Sequence, residues 1–441
     1  MSGAKDASHI AASAKWAAIR LMNEDSSRFA RVRCKTRVDL AIAYKSATIP
    51  APDHPIGMHA FAIIAGAAII FVVLLDAFEN VVLPRRVQRH FRITNWFYRT
   101  TWRPWRTLAS HIQSQTQREA LLSYFGPLSL IGLLGLWAGS LIFGFALLEY
   151  GSGAHLFSQN VPITFPVLLY SSGETFFTLG YGDLTPSSNF SRGLAVLEAG
   201  MGFAFLAIVI GYLPTIYNAF SRREIEISLL DARAGSPPSA AELLTRAVGS
   251  LDQGSLDRLF SDWERWAAEV LESHLSYPVL SFYRSQHSNQ SWLGALTVIL
   301  DATALVMAGI DGVSGEQARR TFKMARHAVV DLAQVVRARY DPNTPERLTA
   351  EDLIALRSQL VEKGMRLVEN EAANQKLADL RILYEPYVHG IAKNLLITLP
   401  PWIRHDPIRD NWRGGPWDAI IQARGLGKIT RDGHAAADEH F

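Results

Sequence analysis

The sequence predicts an all-α membrane protein in two parts, a membrane-embedded first half and a soluble α-helical C-terminal half. Three observations carry this expectation. Segments 58–75, 127–148 and 194–217 are almost entirely apolar, and each has close to the ~20 residues that a helix needs to cross a ~30 Å hydrocarbon core. The 441 residues are 49% hydrophobic with a mean hydropathy of +0.07, too high for an ordinary soluble protein and too low for one lying wholly in lipid. Residues 221–441, by contrast, hold 26 Lys+Arg against 29 Asp+Glu, the mixed charge of a solvated domain.

Composition also removes function classes. A net charge of +3 gives nucleic-acid binding no bulk support. The single cysteine, Cys34, excludes internal disulfides and any cysteine-built zinc site. There is no C-x-x-C, H-E-x-x-H or G-x-G-x-x-G, and no nucleophile–base constellation for an enzyme; no organic cofactor is expected.

Residues 1–57 are basic, alanine-rich and loosely amphipathic, and they lack the apolar core of a signal peptide. They read as a disordered or surface-lying tail; a second reading starts the chain at Met58. The run 58–75 is uncharged and predicts a first spanning helix, which stops at Asp76. Asp76 and Glu79 share a helix face and either pair with the arginines after Pro84 or end the helix at the headgroups. Between residues 85 and 118 stand Arg85, Arg86, Arg89, Arg92, Arg99, Arg103, Arg106 and Arg118, interleaved with Trp96, Trp102, Trp105 and other aromatics. Beside membrane spans this mixture fits the cytoplasmic headgroup layer, where arginine meets anionic lipid and tryptophan settles at the interface. Anionic headgroups are therefore expected near Arg85 to Arg106. These arginines are not spaced every third residue in an apolar helix, so no voltage sensor is visible.

Segment 127–148 predicts the second span, with Pro127 in its first turn, where a missing N–H costs nothing. A Gly-Ser loop and a polar-aromatic stretch, 161–177, follow, and then Thr178-Leu179-Gly180-Tyr181-Gly182-Asp183. A pore that strips water from an ion must line its axis with successive backbone carbonyls. Pointing them one way demands unusual dihedrals, which glycine adopts at little cost. Segment 194–217 closes the unit as a third span.

Helix, short helix, T-L-G-Y-G-D, helix resembles the potassium channel family of the two-transmembrane, one-pore-loop type, whose filter is built from four TVGYG loops. The resemblance covers about residues 121–220; Leu179 replaces the valine, and the helix at 58–75 is extra. It implies K⁺ bound by the carbonyls of Thr178, Leu179, Gly180 and Tyr181, with Gly182 completing the strand and the Thr178 hydroxyl adding a ligand. With one motif per chain it implies a homotetramer. It also implies a Glu174–Asp183 carboxyl pair supporting the filter, and a gating hinge on the inner helix at Gly202; Pro214, which removes one backbone hydrogen bond, reads as a gating kink or as the mark of a helix near its end. Gly202 reads equally as a close-packing glycine. Glu198, ionisable inside a span, is a functional candidate by default. The nucleotide-binding regulatory domain that many bacterial relatives carry has no signature here.

After a linker at 221–238, residues 239–441 read as a helical cytoplasmic domain, with capping boxes at Ser239–Glu242, Ser314–Gln317 and Thr349–Asp352 and an apolar stripe of Leu259, Trp263, Trp266 and Val270. Segment 293–310 is apolar except for Asp301, and its polar flanks favour a buried core helix over a fourth span. His274, His287 and the run 277–292 either line a ligand pocket or pack as a helix and loop. The expected function is a K⁺-selective channel of the inner membrane, gated at the inner helices by a cytoplasmic domain whose ligand the sequence does not name. The alternatives are a weakly selective cation channel and a ligand-sensing module that uses the pore as output.

Overall fold

The computed structural model describes residues 56–81, 92–158, 161–248, 253–287, 289–310, 313, 315–340 and 344–404. The tail at 1–55, with Cys34, and the arginines Arg85, Arg86 and Arg89 lie outside the described residues, as does Ser314 of the second capping box. Among the described residues the architecture is all-α apart from one two-stranded ladder, β1 (Leu156–Ser158) antiparallel to β2 (Leu184–Pro186).

Five helices build the membrane half: α1 (Ile56–Val81), α2 (Ile93–Ser110), α3 (Gln115–Gly151), α4 (Phe165–Phe176) and α5 (Asn189–Ala234). Helix α1 lies along α3, and small residues set the distance. A Cβ on Gly66 would stand 2.6 Å from the Gly144 carbonyl oxygen, the close backbone approach that replaces hydrophobic attraction in lipid.

The acids that end the first apolar run do not point to headgroups. Asp76 is buried and accepts the Thr94 hydroxyl at 2.7 Å, the Thr94 amide at 3.2 Å and the Trp137 indole N–H at 3.1 Å. Glu79 faces Arg92 at 3.7 Å, and Arg92 donates to Asn80 at 2.8 Å. These bonds tie the end of α1 to the start of α2 and to α3. A carboxylate in lipid is expensive unless its oxygens find donors, and here three donors converge on one.

Two boundaries differ from expectation. Helix α3 begins at Gln115, capped by the Ser114 hydroxyl, so Pro127 lies inside the helix and not in its first turn. Helix α5 runs unbroken through Gly202 and Pro214 to Ala234, so residues 221–234 are helix and the connection shrinks to the few residues after Gly235. At 1.5 Å per residue the 46 residues of α5 reach about 69 Å, twice the hydrocarbon thickness, so the helix enters the C-terminal domain directly.

That domain comprises α6 (Ala240–Val248), α7 (Gln253–Ser276), a 3-10 turn (Pro278–Phe282), α8 (Trp292–Gly309), α9 (Glu316–Val335), α10 (Ala350–Glu362), α11 (Glu371–Ile382) and α12 (Glu385–Leu395). The Thr349 capping box forms in full. Ser239 caps α6, but Glu242 turns to Arg246 at 2.6 Å instead of reaching back. Trp263, Trp266 and Val270 are buried as the stripe predicts.

Helix α8 is the domain's centre, with every residue from Trp292 to Val306 buried by its neighbours. Its length and composition would suit a span, yet protein surrounds it. Asp301 explains why. Arg347 grips it with two bonds of 3.2 and 2.5 Å, and the Tyr384 hydroxyl donates at 2.6 Å. Arg347 also donates to the Pro400 carbonyl at 2.9 Å and lies over the Trp402 ring. Arg347→Ala leaves a buried carboxylate unmatched, so the purified full chain should lose roughly 3–5 kcal/mol of stability in denaturant melts. The double change Asp301→Leu with Arg347→Met should recover most of it. Equal losses in both would place the stability elsewhere.

Candidate functional site

The short helix α4 starts with Thr164 at its N-cap and Pro166 in its first turn. It ends at Phe176, and its C-terminal end leads straight into 177–183. The helix dipole places partial negative charge at that end, favourable to a cation.

Backbone dihedrals then alternate. Thr178, Gly180 and Gly182 have φ of +56°, +65° and +77°, whereas Leu179 and Tyr181 stay in the ordinary region. Alternating left- and right-handed residues cancel the flip between successive peptide planes. Three amides show the result: Leu179 N–H donates to the Glu174 carbonyl at 2.9 Å, and the N–H groups of Tyr181 and Gly182 donate to the Glu174 side-chain Oε1, the latter at 3.3 Å. In a trans peptide the carbonyl opposes the N–H. The carbonyls of Thr178, Gly180 and Tyr181 are therefore turned away from Glu174, all toward the opposite side. Thr178 in the left-handed region is uncommon for a β-branched residue and persists because its neighbours over-determine it.

Glu174 thus organises the loop with both its backbone and its carboxyl group. The carboxyl group of Glu174 does not bond Asp183 as the resemblance implies: Glu174, buried, meets amides of the loop, whereas Asp183 is exposed and approaches the Tyr170 hydroxyl. The physical reason is competition for acceptors. Two inward amides of the strand have no other partner, and an unmatched buried amide costs about 1–3 kcal/mol. Glu174→Ala should therefore collapse conduction, while Glu174→Gln, which keeps an acceptor oxygen, should preserve much of it; single-channel recording of the pair separates them. Equal behaviour of Ala and Gln would remove Glu174 from this role.

Two further buried carboxyl groups stand behind the loop. Glu198 on α5 accepts the Ser172 hydroxyl of α4, which also reaches the Ile142 carbonyl of α3 at 2.8 Å. Glu149 on α3 accepts the Ser191 hydroxyl of α5 at 2.7 Å. Together they lace α3, α4 and α5 together around the loop. Sequence reasoning singled out Glu198 but missed Glu149, Ser172 and Ser191; an acid at the very end of an apolar run was the available signal.

Gly202 stands against the end of α4. A Cβ there would meet the Phe176 carbonyl oxygen at 1.8 Å, so in this conformation it serves close packing. Pro214 lies inside α5 and exposed, and the next residue, Thr215, bonds the Gly211 carbonyl at 2.9 Å. Large apolar side chains at Phe203, Leu206, Ile210, Leu213 and Tyr217, spaced alternately three and four apart, lie exposed along the single chain. Tyr181, 69% exposed, likewise lacks cover within its own chain.

Residues 136–217 match the family model described as "Ion channel". That segment, from mid-α3 through the loop into α5, is a pore-loop ion-channel domain. An uncharacterized membrane protein, YdjJ, of Bacillus subtilis (strain 168) is 25% identical over 193 residues, 43% of this chain and 55% of that protein, so the match spans about half of the relative's length. No solved structure matches the chain. The protein is a membrane protein with an ion-channel domain.

Proposed function

We propose that the protein is a potassium-selective channel that conducts K⁺ passively through a tetrameric ring of T-L-G-Y-G-D loops. The observation that carries this reading is the amide set on Glu174, which turns carbonyls of Thr178, Gly180 and Tyr181 to one side. Carbonyl oxygens so aligned replace a hydration shell only when several chains face one axis. One loop per chain and the uncovered apolar stripe on α5 both support a homotetramer.

The C-terminal domain lies on the cytoplasmic side in this reading. The filter faces outward, the bounding helices end inside, and all eight arginines between residues 85 and 118 fall on the same side. On α2 the side chains of Trp96, Arg99 and Arg103 are exposed along one face, fitting anionic headgroups. An adjoining apolar groove of about 660 Å³ between α1 and α3, lined by Ile69, Val72, Ile93, Gly135, Leu136 and Gly139, suits an acyl chain. The domain gates the pore through the long α5.

Purified protein in K⁺-loaded liposomes tests the reading. Expected are a downhill K⁺ flux and a cross-linking ladder that ends at four chains. No flux, or a flux that runs equally well with Na⁺, would overturn K⁺ selectivity.

A further inference from the structure

Among the contacts between the C-terminal domain and the pore helices, one fills the space beside the inner helix. The 3-10 turn Pro278–Phe282 lies in the crevice between α3 and α5. Val279 and Leu280 are buried in one cluster with Leu130 of α3 and with Tyr212 and Ile216 of α5, the two residues that straddle Pro214. Phe282 stacks among Tyr98 and Trp102 of α2 and Phe125 of α3. The Tyr283 ring covers Gly126 so closely that a Cβ there would stand 2.6 Å away.

Arg223 holds the turn in place. This α5 residue is 3% exposed, and its guanidinium donates to the Leu280 carbonyl at 2.9 Å, the Tyr283 carbonyl at 3.0 Å, Glu224 at 2.9 Å and His274 Nε2 at 3.2 Å. His274 Nδ1 donates to the Val270 carbonyl at 2.8 Å, leaving Nε2 to accept. Burial and the neighbouring Arg223 push the His274 pKa well below its ordinary value, so the ring stays neutral beside the cation. Ser285 completes the set on Glu224 at 3.2 Å. A buried guanidinium with this many partners clamps the turn against α5 in this conformation, because separating them strands the charge.

We propose that the turn Pro278–Phe282 is a wedge that holds the inner helix closed and must withdraw for the pore to open. This rests on the channel reading above. For ions to pass, the cytoplasmic ends of the inner helices must part, and each must then move toward its own α3. The face of α5 that bears Tyr212 and Ile216 is turned that way, and Val279 and Leu280 fill the space. The opposite face, with Phe203, Ile210 and Pro214, is uncovered. The wedge thus sits on the side toward which the helix must yield, next to the residue whose missing N–H makes it bendable. A stimulus on the C-terminal domain acts by drawing the turn out of the crevice, which releases the Leu280 and Tyr283 carbonyls from Arg223.

Single-channel recording on purified full-length protein tests this. Leu280→Ala shortens the wedge and should raise open probability by roughly 5- to 150-fold, the usual span of such couplings, with unitary conductance and selectivity unchanged. A second test does not depend on that variant folding. With Cys34→Ser as background, Ile216→Cys and Leu280→Cys are joined by oxidation, which should silence the channel until a reductant is added. Unchanged or lowered open probability in Leu280→Ala, or normal openings from the cross-linked pair, would overturn the wedge. If wild-type protein passes no K⁺-selective current, the channel reading fails and the wedge with it. If it passes that current while gating ignores both variants, the wedge alone fails.

Discussion

Gly180→Ala and Gly182→Ala are expected to abolish K⁺-selective conduction while the protein still assembles. Space is not the obstacle, since no heavy atom lies within 4 Å of a Cβ added at either position. The obstacle is the backbone, at φ of +65° and +77°. An L-residue pays about 1–2 kcal/mol to hold a left-handed conformation, and in the proposed fourfold ring the cost recurs in every chain. The cheapest relaxation rotates the peptide, which takes a carbonyl out of the line and frees an amide from Glu174. Nothing in the helices changes, so gel filtration should show intact assemblies in which ionic selectivity is lost. Near-normal K⁺ over Na⁺ selectivity in both variants would remove the loop from its role.

Gly202→Val should be the most damaging change on the inner helix. The Phe176 carbonyl stands 1.8 Å from the site of a Cβ, closer than any atom can be. To accept the side chain, α5 must leave α4 by more than an ångström, and the Ser172–Glu198 bond that spans the same two helices breaks with it. Overpacking in a tight core costs about 1–3 kcal/mol or more, and here it strikes the end of α4 from which the loop springs. The expected result is a lower melting temperature and loss of current together. Gly211→Val, where nothing lies within 4 Å, supplies the control and should leave the melting temperature unchanged. If Gly202→Val altered gating alone and kept stability and conductance, Gly202 would be a hinge.

The parts of this molecule that could be read beforehand are those whose signal is local. The three apolar runs needed only the thickness of a bilayer, and the glycines of the pore loop needed only their dihedral freedom. Asp301 was legible as a misfit, an acid that a spanning helix would not tolerate, though its partners Arg347 and Tyr384 are 46 and 83 residues away and nothing in the local pattern names them. The same limit hid the role of Glu174: its spacing to Asp183 was visible, but the competing amides became visible only once the chain had turned. Pro127 and residues 221–234 misled for another reason. Composition changes where lipid ends, whereas a helix continues as long as its hydrogen bonds do, so α3 and α5 outrun the apolar runs that announce them. The wedge was invisible in principle, because a Tyr-Pro-Val-Leu run carries no mark of the crevice that receives it.

The reversal potential of the purified, full-length protein in a planar bilayer, with equal K⁺ on one side and Na⁺ on the other, tests the central claim most directly. A filter of aligned carbonyls predicts a reversal potential displaced strongly in the direction that K⁺ permeation alone would set. Reversal near zero, with clear unitary currents carried by both ions, would contradict it.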